Sequence, residues 1–260
     1  MISVVIRNKN QAEALEFLLK NLEQRYSGDI SEIIVIDNLS TDNSKAVAKH
    51  YGAKFLTIEN FSYGGSANFA AKSASQPIVV MFSAHSYPVS HDFFKLIKEK
   101  FIQNKKLAGV RCLHSSNDYR NYINGITAKD DPNKSGLIFS GSAFSKNVWE
   151  KHPFRNDVAT FEDKEWSKRV VGLGYDIDFV PAIFNYDIKR SHKQNFFRFK
   201  NDVIGNYQLW HQDITFFAAS KGFVLSILRL IKSFFNEIWF ILKRYVYLIK
   251  FMLKKPKKFK

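Results

Sequence analysis

Cysteine occurs once in these 260 residues, as Cys112. That excludes an internal disulfide and fits a reducing compartment. A secretory leader is not expected: the apolar run in MISVVIRNKN is short, and no small-residue cleavage pattern follows it. No uncharged stretch approaches the roughly 20 residues that a membrane-spanning helix needs. Acids nearly vanish from the end of the chain. Over residues 221–260 the only one is Glu237, against eleven Lys and Arg. These absences predict a cytoplasmic protein that does not span a bilayer.

What is present reads as one domain with an appendage. Hydrophobic residues make up 45% and charged residues 24%, which are globular values. The net charge of +15 calls for a polyanionic neighbour: nucleic acid, an anionic membrane or phosphorylated substrates. Ten of those fifteen charges lie in the last forty residues, so the first 220 are only mildly basic.

The N-terminal part alternates strand-like and helix-like segments. ISVVI (2–6) is continuous and β-branched, as a strand buried on both faces should be. Residues 11–25 space Ala14, Leu15, Leu18, Leu19 and Leu22 for a helix. EIIVID (32–37) predicts a second strand. STDNSKAVAKHYG (40–52) opens with capping residues and closes on Gly52. KFLTI (54–58), PIVVMF (77–82) and LAGVRC (107–112) predict further strands, with helices over 66–74 and 92–101 between them. This rhythm predicts an α/β fold with a mostly parallel sheet covered by helices. Ligands bind such sheets beyond the carboxyl ends of the strands. That puts forward residues 7–10, 37–41 and 83–88. The polar stretch 114–135 reads as a long loop, either a substrate lid or a surface excursion.

Taken singly, the candidate residues keep plain readings open. Asp37 begins DNLSTD and can be a turn aspartate bonded to its own backbone. Glu162 and Asp163 open a helix that carries Trp166, Val170 and Leu173 on its apolar positions. Acids there favour the helix dipole by a few tenths to about 1 kcal/mol, and Trp166 can be core. His85, in MFSAHSYP (81–88), can be a hydrogen-bonded loop histidine. GLIFSGSAFSKNVWEKHPF (136–154) reads as a strand, a Gly turn and a helix capped by Ser145. Gly141 and Ser142 would let the backbone come close to a ligand.

Order and spacing add more. ISVVIRNKN, EIIVIDNLSTDNS, YGAKFLTIEN, FSYGGSANFAAKSA, PIVVMFSAHSYP and FEDKEWSKRVVGLGYDI, in that order over residues 2–195, resemble a family 2 glycosyltransferase with the GT-A fold. The SAH variant, with the later pair Ser191 and His192, is most similar to rhamnosyltransferase-type enzymes of surface polysaccharide synthesis. The resemblance implies a Rossmann-like GT-A domain over 1–205. It also implies inverting transfer of a sugar from a nucleotide-diphosphate donor to a lipid-linked or polysaccharide acceptor. It places Arg7, Asn8 and Asn10 in the loop lining the nucleotide pocket, Asp37 against the nucleobase, and Asn68 on the helix after strand three. The arginine that often precedes that asparagine is absent, and Ala67 stands there, so a donor contact is missing or comes from Lys72 or Arg7. Gly141, Ser142 and Trp166 fall on the acceptor side. Asp163 becomes the general base, with Glu162 orienting the acceptor.

The family pattern also carries a D-x-D pair after strand four, holding Mn2+ or Mg2+ against the diphosphate. Ser83 and His85 occupy those places here. Hard cations prefer oxygen ligands, carboxylates above all, whereas imidazole is a fair ligand for Mn2+. Two readings stay open. His85 and His192 share a divalent cation, or Lys189, Arg190 and Lys193 neutralise the diphosphate without one.

Residues 206–260 predict a helical, basic extension. Wound at 100° per residue, Arg229, Lys232, Glu237, Lys243, Arg244 and Lys250 fall with Ser226, Ser233 and Asn236 within an arc of roughly 160°. The rest is Leu, Ile, Phe, Trp and Tyr, with Phe240 and Tyr247 intruding on the polar face. This is the pattern of an interfacial helix or helix pair, and KKPKKFK adds attraction to anionic lipid. A helix packed on the domain, or one forming a homo-oligomer, is the other reading; a nucleic-acid tail would be poorer in Ile, Leu and Phe. The expected partners are a nucleotide-sugar donor, a lipid-linked or glycan acceptor and an anionic membrane surface, and not nucleic acid. The expected place is peripheral, on the inner face of the cell membrane. A second class stays in view, a catalytically inactive GT-A-fold scaffold at the membrane. The intact Asp163 favours the enzyme.

Overall fold

In the computed structural model, residues 1–187 and 190–259 are described, and contacts divide the chain into Met1–Trp210 and His211–Lys260. β1 (Ile2–Asn8) leads into α1 (Ala12–Tyr26), whose Leu15, Leu18, Leu19, Leu22 and Tyr26 form one buried stripe. β2 (Glu32–Asp37), α2 (Ser44–His50), β3 (Lys54–Thr57), α3 (Tyr63–Ser73) and β4 (Ile78–Ser83) repeat the pattern. The buried face of α3 is Gly64, Ser66, Ala67, Ala70 and Ala71, so its backbone runs close to its neighbours. A Cβ on Gly64 would lie 1.9 Å from the Arg155 carbonyl oxygen.

The chain continues through β5 (Ser86–Pro88), α4 (Phe93–Gln103), β6 (Leu107–Leu113), α5 (Ser116–Ile123), α6 (Pro132–Ser135) and β7 (Ser142–Ser145). Then come α7 (Lys146–Lys151), α8 (Glu162–Gly172), β8 (Asp176–Tyr186) and α9 (His192–Trp210), which carries the first unit to its end. The strands form one sheet in the order β3-β2-β1-β4-β7-β6-β8-β5. β1 pairs in parallel with β2 and β4, as do β2 with β3 and β6 with β8. β7 is antiparallel to both its neighbours, and β5 is antiparallel to β8. The expected helix-flanked α/β sheet is therefore present. One core cluster joins Leu15, Leu18, Phe93 and Phe94; the other joins Ala70, Phe139, Phe144, Phe154 and Trp166.

Two expectations are corrected. MFSAHSYP is more than a strand and a loop: Ser86–Pro88 form β5 against Tyr186–Phe184. Proline has no N–H to give a ladder and is tolerated at the sheet's edge. The stretch 114–135 holds two capped helices. The Ser115 hydroxyl accepts from Asp118 N, and the Asp131 carboxylate accepts from Asn133 N and Lys134 N, with Pro132 starting α6.

A buried ion pair anchors that stretch. Arg111, on β6, donates from Nε and Nη2 to Asp118 Oδ1 at 3.1 and 2.6 Å, and from Nη1 to the Gly136 carbonyl at 2.7 Å. His114 Nδ1 meets the other Asp118 oxygen.

The second unit is dominated by α10 (Phe216–Leu253), a single 38-residue helix capped by Thr215, with no buried residue. Among the described residues, no helix is long and apolar enough to cross a membrane.

Burial alone would raise the Asp118 carboxyl, but the His114 hydrogen bond and the Arg111 charge hold it well below the usual range. A depressed carboxylate stabilises the fold above its unfolded value near 4, and that contribution is lost as pH falls through the folded value. Asp118→Asn is expected to lower stability by about 3 kcal/mol at pH 7 in urea unfolding. The deficit should shrink as pH drops below about 4. An equal deficit at pH 7 and pH 3 would contradict the ion-pair account.

Candidate active site

Arg7 stands next to last in β1 and turns its guanidinium across the carboxyl ends of the strands. Nη1 donates to Glu162 Oε1 at 2.9 Å and to Ser66 Oγ at 3.3 Å, while Nη2 donates to the Phe139 carbonyl at 3.0 Å. The rings of Tyr63 and Phe139 lie 5.9 and 5.8 Å from its central carbon. One side chain thus ties β1 to α3, to the segment before β7 and to the start of α8.

That start is built under constraint. Phe161 precedes α8 with φ +67°, a left-handed conformation uncommon for a residue of its size. Its ring lies over Gly205 of α9, where a Cβ would come within 2.6 Å of it. Asp163 Oδ2 accepts from Phe139 N at 3.0 Å, and Oδ1 accepts from Lys164 N at 2.8 Å. Phe139 is therefore held at both ends of its backbone, by Arg7 and by Asp163. Burial and the neighbouring Asp163 charge push the Glu162 carboxyl above the usual carboxylate range, against the pull of Arg7.

A cavity of about 610 Å³ opens over these groups. Arg7, Ser83, Glu162 and Asp163, all named from the sequence, line it. Tyr63, Phe139, Tyr186 and Arg190 line it too, together with one side of α9: Lys193, Gln194, Phe197, Arg198, Asn201 and Asp202. Most of α9 carried no signal in the sequence, which there reads only as a polar, aromatic helix. One signal was available: S-x-x-Q at 191–194. Ser191 Oγ accepts from Gln194 N, and Gln194 Oε1 accepts from Ser191 N, a reciprocal capping box.

The other expected residues lie elsewhere. Asp37 is buried at the end of β2. Its Oδ1 accepts from Asn8 Nδ2 at 2.8 Å and Ser40 Oγ at 2.6 Å, and its Oδ2 accepts from Ser40 N at 2.8 Å. Three of about four lone-pair positions are filled, which leaves one on Oδ2. Asn8 Oδ1 beside it is buried and has no partner among the described residues. Asn10, with φ +49°, accepts from Thr41 N. These residues form a cluster apart from the cavity lining.

Asn68 is a latch. Its Oδ1 accepts from Trp149 Nε1 and Phe154 N, and its Nδ2 donates to the Phe154 carbonyl. Three acceptor-side expectations are corrected. Trp166 is fully buried and donates Nε1 to the His152 carbonyl, so it has no surface for a sugar. Gly141 makes room for the Phe184 ring, 2.5 Å from where its Cβ would sit. Ser142 is buried and accepts from Ile138 N, holding the turn.

His85 and His192 do not form a metal site. His85 Nδ1 bonds Gln11 Oε1 at 2.8 Å, and its Nε2 is buried without a partner among the described residues. Burial, then the charges of Arg190 and Arg7, push its pKa down to about 4, so the ring is neutral. His192 is exposed in the first turn of α9, outside the cavity lining. Among the described residues, no three His, Cys, Asp or Glu side chains converge. With Ser83 offering only a hydroxyl and two arginines nearby, the donor set does not fit Mg2+ or Mn2+. Lys189, expected near the diphosphate, lies outside the described residues.

Residues 3–162 match the model of glycosyl transferase family 2. The chain is 25% identical over 245 residues to the O-antigen chain rhamnosyltransferase WbaN of Salmonella anatum, covering 85% of this chain and 74% of that protein. It is 24% identical over 203 residues to the glycosyltransferase AglE of Haloferax volcanii, covering 70% and 65%. Among solved structures, the mannosyltransferase PcManGT of Pyrobaculum calidifontis, in complex with GDP-Man and Mn2+, superposes with a TM-score of 0.65 at 19% identity, over 82% of this chain and 65% of that one. Glucosyl-3-phosphoglycerate synthase of Mycobacterium tuberculosis, with Mn2+ and UDP-Glc, gives 0.60 at 14% identity, over 80% and 78%. At such identities the structures establish the GT-A fold alone.

The buried Arg7–Glu162 pair yields a direct test. Removing one partner of a buried pair costs about 3–5 kcal/mol, because the other charge is left alone. Arg7→Met should lower stability by roughly that amount. Arg7→Met with Glu162→Met should recover more than half of it in the same urea titration. Additive losses would show that the two side chains are not coupled.

Proposed function

The chain belongs to glycosyl transferase family 2, and from that membership and the geometry of the cavity we propose that it is an inverting glycosyltransferase. It moves a hexose or deoxyhexose from a nucleotide diphosphate to a lipid-linked or polysaccharide acceptor in surface-glycan synthesis. The observation that carries this reading is the Glu162–Asp163 pair, fixed at the start of α8 and facing the cavity that the end of β4 also lines. Asp163 is the base. Each of its oxygens holds one backbone N–H and keeps a lone pair for an acceptor hydroxyl. As Asp163 takes the proton, the acceptor oxygen bonds to the anomeric carbon from the face opposite the diphosphate. The bond from that carbon to the diphosphate oxygen breaks, and the electron pair leaves with the nucleoside diphosphate. Glu162, committed to Arg7, holds the site's shape. The free lone pair of Asp37 suits the imide N–H of uracil or thymine. Likeness to an O-antigen rhamnosyltransferase supports the surface-glycan role.

Wild-type protein incubated with UDP-, dTDP- and GDP-sugars and a lipid-linked glycan extract should release nucleoside diphosphate. Asp163→Asn should slow release by about 10²–10⁴-fold with donor affinity little changed. If the wild type binds donor and releases nothing with any of these acceptors, the scaffold reading replaces the enzyme.

The same proposal makes the tail a membrane-binding element, set against the inner face of the cell membrane. α10 carries its basic stripe opposite Leu, Ile and aromatic side chains, and none of its residues is buried. The 260-residue chain should sediment with phosphatidylglycerol vesicles far more than with phosphatidylcholine ones. Replacing Lys243, Arg244, Lys250 and Lys254 together by Glu should weaken that binding at least about tenfold, at roughly 1 kcal/mol per charge. Unchanged sedimentation would remove the membrane from the reading.

A further inference from the structure

We propose that Arg190 and Lys193 hold the donor's diphosphate directly, on a post made by His85 and Tyr186, and that this grip needs no divalent cation. The inference rests on the donor being a nucleotide diphosphate, as above. It starts from the cations that line the cavity. Arg7 is paired with Glu162, and Arg198 reaches Asp202 at 3.5 Å. Lys164 donates to Asn133 Oδ1 and lies 4.6 Å over the Phe161 ring. Arg190 and Lys193 have no carboxylate partner among the described residues, and both line the cavity together with Ser83 at the end of β4.

Arg190 is positioned rather than loose. Its Nη2 donates to the Tyr186 hydroxyl at 2.7 Å, and its guanidinium lies 5.7 Å from that ring's centre. The Tyr186 ring meets His85 edge-on at 4.9 Å. His85 is fixed in turn by Gln11 and by its carbonyl, which accepts from Asp187 N at 2.9 Å. The loop after β4 thus ends in a neutral ring that supports an arginine. A carboxylate at position 85 would instead place a negative charge near Arg190, whose own charge already bears on the His85 ring. Lys193 comes from the first turn of α9, where the helix dipole adds to the pull on an anion. Two unneutralised cations in the cavity that the end of β4 also lines suit the charge that gathers on the diphosphate as the glycosidic bond breaks.

The test is binding of UDP, GDP, dTDP, CDP and ADP, and of the matching monophosphates, by calorimetry on the full chain in EDTA and in Mn2+. In EDTA at least one diphosphate should bind about tenfold or more tighter than its monophosphate, with little change on adding Mn2+. In Arg190→Gln/Lys193→Gln that preference should fall to within about threefold, at an unchanged melting temperature. Lys98→Gln/Lys105→Gln, which removes the same charge elsewhere, should keep the wild-type ratio. Diphosphate binding that requires Mn2+, or a double variant with the wild-type preference, overturns the inference and leaves the transferase reading standing. No binding of any nucleotide in either condition overturns both.

Discussion

The site depends on one buried contact between β1 and α8, the 2.9 Å pair of Arg7 and Glu162. The two residues stand 155 positions apart, and nothing local would bring the start of α8 over the end of β1. Taking both charges out of water costs about as much as their attraction returns. The pair is therefore better understood through position than through stability. Arg7 also fixes Ser66 and the Phe139 carbonyl, and Asp163 fixes the Phe139 N–H. The carboxylate assigned as base and the wall facing it are therefore joined through Phe139.

This commitment has an electrostatic consequence. An arginine engaged by Glu162, Ser66 and Phe139 has little left to offer a phosphate, so positive charge for a leaving group must come from another element. In the proposed grip Arg190, and Lys193 from the first turn of α9, would supply it, and α9 is tied to the same corner. Gly205 lies under the left-handed Phe161, one residue before Glu162. The helix that carries Lys193 also packs on the residue that sets the direction of α8. The proposed base and the proposed diphosphate grip hang on one junction from opposite sides.

Much of this was legible in the sequence, and the reason is local. Buried parallel strands such as ISVVI and EIIVID are continuous apolar runs, and Leu15, Leu18, Leu19 and Leu22 keep helical spacing. Ser83 was put forward because it follows a strand, whereas Glu162 and Asp163 opened a helix like any acids there and stood out only through the order of the motifs. What stayed hidden was set by distant partners. Arg111 looks like any strand arginine until Asp118 and Gly136 enclose it, and that enclosure orders a stretch whose composition reads as loop. Trp166 offers the same ring to a core or to a sugar, and only Phe144, Phe154 and His152 around it decide. Gly141 is a glycine for the sake of Phe184, a residue from another strand.

The loop after β4 is best understood through its charge. In the family pattern two carboxylates and one divalent cation sum to no net charge, so the metal would act on the diphosphate through direct contact rather than through net charge. Ser83 and a neutral His85 also sum to none. Keeping the carboxylates without a metal would leave two negative charges facing a leaving anion, at about 4 kcal/mol per contact at an effective dielectric of 20. Removing carboxylates and metal together avoids that penalty and leaves nearby cations unopposed. Ser83 and His85 bring no negative charge to that loop, so neither opposes Arg190.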